Sequence, residues 1–87
     1  MACVIVIEGF ASGVPCPIAG QYLKSFDFEA DGGHGYGEFT LDIDKAMQFN
    51  SVHEAMEFYR TQPKSRPIDQ GRPNRPLTAS SVSIMKV

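Results

Sequence analysis

The stretch DFEADGGHGYGE, residues 27–38, sets four carboxylates and four glycines into twelve positions. Three readings compete for such a composition. The first is calcium binding. Asp27, Glu29, Asp31, Gly32 and Glu38 fall at the first, third, fifth, sixth and twelfth places of an EF-hand-type loop, where a hard cation collects oxygens around a sharp glycine turn. Against it, Glu stands at the third place where Asp or Asn is usual, and His34 fills the eighth. The second reading is a phosphate cradle. Gly33, Gly35 and Gly37 give G-x-G-x-G, but Glu38 occupies the place of the third dinucleotide glycine. No GK[ST] follows, and acids just before the run repel phosphate. The third reading is the tip of a β-hairpin with solvated acids. The flanks alternate like strands, and that favours the hairpin.

A second chemistry-bearing stretch is PKSRPIDQGRPNRP, residues 63–76. It holds four of the six prolines, and its four cations, Lys64, Arg66, Arg72 and Arg75, face one acid, Asp69. The segment therefore carries +3 and the rest of the chain −5, within a net charge of −2. Prolines at this density forbid helix and sheet, so an ordered or semi-extended surface loop is expected. A loop stiffened by proline loses less entropy when a partner fixes it. Arginines fork onto carboxylate or phosphate. The four cations are thus the candidate partner-binding residues. The bland counterpart is a solvated loop paired with the acidic face at 27–44.

Nucleophilic chemistry is thinly provided. Cys16 sits between Pro15 and Pro17 without a histidine or cation nearby in sequence, and a thiolate needs such a neighbour. The serines lack motif context. His53 and Glu57 at i, i+4 share a helix face, but two ligands alone make no metal site. No catalytic residue, metal site or cofactor is expected.

These residues must be positioned by a small number of elements. Cys3–Glu8 is β-prone on both faces, the mark of a buried central strand ended by Gly9. Residues 21–29 and 36–42 alternate around the glycine stretch and predict an antiparallel hairpin. Asp42 or Asp44 is placed to cap a short helical turn over 45–49. Ser51-Val52-His53-Glu54 is a capping box, in which the Ser hydroxyl accepts from the Glu54 amide and the Glu carboxylate reaches the Ser51 amide. Val52, Ala55, Met56 and Tyr59 then form one apolar stripe of a helix over 52–62, stopped by Pro63. Residues 77–87 close the chain with a strand in which Val82 and Ile84 share a face.

The pattern FTxDxxKAxxFxSxxEAxxF over residues 39–58, followed by RPNRPLTA and a last strand, resembles small uncharacterised proteins encoded in bacteriophages and prophages. Its motif consists of caps, a helix stripe and turn formers. The resemblance implies a phage or host-cytoplasm setting and brings no activity or catalytic residue.

Eighty-seven residues bound the architecture to one α+β domain, with about four antiparallel strands covered on one face by one helix in the order β-β-β-α-β. Two cysteines outside any CxxC or zinc spacing point to free thiols in a reducing cytoplasm. No stretch is apolar enough for a membrane span. The expected function is that of a non-enzymatic accessory protein that binds a macromolecule through 64–75. The overall negative charge makes a protein partner the expectation over nucleic acid. The alternative is a calcium module built on 27–38.

Overall fold

The computed structural model describes residues 2–87. Among the described residues six strands form: β1 (Cys3–Phe10), β2 (Tyr22–Asp27), β3 (Tyr36–Thr40), β4 (Ile68–Asp69), β5 (Arg72–Pro73) and β6 (Ser80–Lys86), with one main helix, Val52–Tyr59, between β3 and β4. The main sheet is antiparallel in the order β3-β2-β1-β6, and β4 and β5 make a separate ribbon. This is the expected α+β arrangement. Among the described residues no helix is long and apolar enough to cross a membrane.

β1 is central because its β-branched run buries both faces: Cys3, Val4, Ile5 and Ile7 are at most 2% exposed. Along one edge it pairs with β6 from Cys3↔Lys86 to Ile7↔Val82, and a register shift follows before Gly9. Gly9 therefore bends the strand without ending it. The other edge is shared. β2 meets β1 at Val6↔Tyr22 and then diverges. Residues 47–49 fill the gap: the Met47 amide donates to the Leu23 carbonyl at 2.9 Å, and Cys3 and Phe49 exchange two bonds of 2.8 Å. That ladder holds 47–49 extended, so the expected helical turn over 45–49 is displaced. It forms instead as a 3-10 turn over Ile43–Lys45, where the Asp42 carboxylate accepts from the Asp44 amide at 3.0 Å.

The helix starts where the sequence places it. Ser51 Oγ accepts from the Glu54 amide at 3.1 Å, but the Glu54 carboxylate accepts from the amide of Asn50, at 2.9 Å, and not from that of Ser51. The helix ends at Tyr59 and not near Gln62. Arg60 closes it by donating to the Met56 and Glu57 carbonyls, and Thr61 caps Glu57 with its hydroxyl. Pro63, which biases the residue before it toward extended backbone, is itself fully buried. The apolar stripe is also rotated. Val52 is 44% exposed, whereas Phe58 and Tyr59 pack beside the buried Ala55.

The core beneath the helix comprises Ile5, Leu23, Phe49, Ala55 and Leu77, ringed by half-buried aromatic side chains. Phe26, Phe28, Phe58 and Phe49 form a continuous chain of rings with centroids 4.7, 5.1 and 5.3 Å apart. Such pairs add about 0.5–1.5 kcal/mol each beyond their buried area. Tyr59 adds a directional tie by donating its hydroxyl to the Ser80 carbonyl at 2.7 Å.

Removing the helix cap gives a direct check. Ser51→Ala orphans the Glu54 amide and is expected to cost about 1 kcal/mol in two-state denaturation. An unchanged midpoint would show that the hydroxyl is not holding the helix start.

Candidate functional site

The hairpin tip between β2 and β3 is a left-handed turn. Asp31, Gly32, Gly33 and Gly35 have φ of 52°, 64°, 96° and 86°. The Gly35 amide closes the turn onto the Ala30 carbonyl at 3.0 Å. Two of these glycines are required by close approach as well as by φ. A Cβ on Gly33 would lie 2.6 Å from the Arg66 Cβ, and one on Gly35 would lie 2.6 Å from the Phe26 ring. The glycine run is therefore moulded around the protein's own side chains.

What approaches Gly33 is the basic loop, so the two chemistry-bearing stretches fold into one unit. The Glu29 carboxylate accepts from the amides of Lys64 at 2.6 Å and Ser65 at 2.9 Å, one oxygen to each. Asn74 donates its side-chain amide to the carbonyls of Gly33 at 2.8 Å and Arg66 at 2.9 Å. The Pro67 carbonyl accepts from the Asn74 backbone and from the Gln62 side chain, both at 2.9 Å. Contrary to the expectation that prolines exclude sheet, Ile68–Asp69 pairs with Arg72–Pro73. The pairing is possible because Gln70 and Gly71 take φ of 53° and 77°, the two positive values a type I′ hairpin turn needs.

The Glu29 carboxyl is held below its usual range, chiefly by the Ser65 hydroxyl and then by the amides of Ser65 and Lys64. It is thus a fixed anion with its oxygens committed to the loop. Asp27 is likewise engaged, accepting from the Glu29 amide at 3.0 Å. The carboxylates of 27–38 do not converge, and among the described residues no three His, Cys, Asp or Glu side chains gather as a metal set.

All four sequence-predicted cations lie on this unit and are exposed. Arg66 makes a loose ion pair with Asp69, 3.8 Å apart. Among the described residues, Lys64, Arg72 and Arg75 have no carboxylate within 4.0 Å. Ile68, 56% exposed, stands among them on the ribbon. The surface therefore offers three unpaired cations, one apolar side chain and a backbone pinned from beneath. Glu29 and Asn74, which do the pinning, escaped sequence reasoning because their partners lie 35 to 41 residues away.

Elsewhere, Cys16 and Cys3 are free thiols, Cys3 buried and Cys16 half-buried. Cys16 lines an open cleft of about 350 Å³ with Glu8, Phe10, Val14 and Ser81, which contains no histidine or cation to activate it. His53 and Glu57 touch at 2.9 Å but are 81% and 69% exposed. They form a solvated pair on the outer helix face.

Two outcomes follow from the pinning. Gly33→Ala strains both the backbone and the Arg66 contact and is expected to cost about 1–3 kcal/mol in thermal or denaturant unfolding. A loss of less than a few tenths would refute the close approach. A carboxyl with lowered folded pKa contributes at pH above its unfolded value, and the contribution vanishes as pH falls through the folded value. Amide exchange of Lys64 and Ser65, corrected for intrinsic rate, is therefore expected to lose protection on acidification through that window. In Glu29→Ala the protection is lost at every pH. Equal protection in both proteins at neutral pH would show that the carboxylate does not hold the loop.

In comparison with known proteins, no family model, no curated protein and no solved structure matches the chain, so the functional reading rests on this geometry.

Proposed function

We propose that the protein is a non-enzymatic binding module, of a phage or host-cytoplasm setting, that captures a protein partner through Lys64, Arg66, Arg72 and Arg75. The observation that carries this reading is the pinned ribbon. Glu29 binds the backbone amides of Lys64 and Ser65, and Asn74 ties the Arg66 carbonyl to that of Gly33, so the segment that carries the cations is anchored before any partner arrives. Preorganisation of this kind lowers the entropy lost on binding. Core packing supplies no other reason for an exposed, largely unpaired cationic ribbon.

Several features favour protein over nucleic acid. Glu29 and Asp31 lie in the turn that abuts the basic segment and Asp27 ends β2 just before it, so a continuous phosphate backbone would meet anions there. Arg beside exposed Ile68 and Pro73 has the composition of a protein interface, where arginine and apolar anchors are enriched. The partner surface is accordingly acidic, with an apolar contact for Ile68.

Changing Arg66, Arg72 and Arg75 together to Ser is expected to abolish partner capture with the fold intact, since exposed substitutions shift stability by about 0.5 kcal/mol or less each. Capture is measured by affinity pull-down with the parent and the triple variant, and folding by circular dichroism. Undiminished capture by the triple variant would make the ribbon a mere connector. Tight, sequence-independent DNA binding at physiological salt, falling log-linearly with salt, would replace the protein partner by a phosphate backbone.

A further inference from the structure

The main sheet ends in two unequal edges. β3 is the shorter, five residues with Glu38 at its centre, and antiparallel self-pairing there would set the carboxylates opposite each other. β6 runs seven residues, SSVSIMK, with no proline and one charge, Lys86. Natural sheets blunt such an edge with charge, proline or a covering element. Among the described residues β6 pairs only with β1.

The phase of its backbone is fixed. The Val87 amide donates to the Ala2 carbonyl at 2.9 Å, and the β1–β6 register is unbroken from Cys3↔Lys86 to Ile7↔Val82. In an antiparallel ladder, alternate residues turn both polar groups toward the partner. Residues 83, 85 and 87 therefore face β1, and Val82, Ile84 and Lys86 turn N–H and C=O outward. Ser80 has the same outward phase, but its carbonyl already accepts from Tyr59. Apolar surface lies along this edge: Met85 is 37% exposed and Val87 48%.

We infer that β6 pairs antiparallel with β6 of a second copy of this chain, about a two-fold axis at Ile84, extending the four-stranded sheet across both copies. The axis is selected by the groups left free. Centring on Ile84 joins Val82 to Lys86 of the partner and Ile84 to its own copy, so every outward group of the three residues is satisfied. An axis at Val82 would need the Ser80 carbonyl that Tyr59 occupies, and an axis at Lys86 would leave the Val82 end unpaired. With Ile84 at the axis, Lys86 lies opposite Val82 and no like charges oppose. On the helix-free face Ser83 lies opposite Met85. A net charge of −2 per chain opposes such a dimer only weakly. The dimer would present two basic ribbons, giving any bivalent partner a higher effective affinity.

The test is solution mass against concentration. The parent is expected to reach twice the 9.6 kDa of the chain. S83K/M85K places lysines opposite lysines across the seam, away from the helix-covered core, and is expected to stay monomeric. S83K/M85E sets opposite charges at the same places and is expected to dimerise again. A parent that is monomeric at every concentration overturns the inference. So does a dimer that survives S83K/M85K, or one that S83K/M85E fails to restore. Should either variant fail to fold by circular dichroism, amide exchange in the parent decides. Protection of Val82, Ile84 and Lys86 that disappears on dilution supports the seam, and fast exchange of all three at high concentration refutes it.

Discussion

Every layer of this protein depends on satisfying the backbone of β1. Its side chains are buried on both faces, so nearly every amide and carbonyl must find a protein partner, because an unpaired buried polar group costs about 1–3 kcal/mol. β6 meets this demand along one edge. No single segment does so along the other. β2 supplies the end near Val6, and the extended residues 47–49 supply the end near Cys3. The split edge draws residues 47–49 into the gap beside β1 and so sets where the helix must begin.

The helix then follows from a cap and a ring cluster. Ser51 fixes its first turn, and Ala55, at 0% exposure, lets the backbone approach the sheet. Phe58 enters between Phe28 and Phe49, which carries the aromatic chain from the hairpin to the strand-like segment at Phe49. Val52, one turn before Met56, is left toward water by the same rotation. A short helix of eight residues is marginal alone. Here the ring contacts and the Tyr59 tie to β6 hold it.

The same economy shapes the candidate site. One carboxylate, Glu29, binds two amides of a segment 35 residues away, and Asn74 ties that segment to the glycine turn. Glu29 and the glycine turn, which suggest a cation loop in the sequence, hold the backbone of the protein's own basic segment. The Glu29 carboxylate holds the backbone at Lys64 and Ser65, and among the described residues Lys64, Arg72 and Arg75 are left without an ion-pair partner.

Local rules account for much of this in the sequence alone. A run of β-branched residues on both faces marks β1, alternation marks the β2–β3 hairpin, and Ser51 with Glu54 marks the helix start, because each depends on neighbours within a few residues. The cationic character of 63–76 is equally legible, since charge is a property of composition. Only the tertiary structure decided that 47–49 is extended and that the helix stops at Tyr59. It also decided that Val52 faces water and that prolines coexist with a β-ribbon. Above all it decided that Glu29 meets the amides of Lys64 and Ser65. Each of these turns on a contact between segments distant in sequence, and no periodicity or local preference records which distant backbone amide a carboxylate will meet.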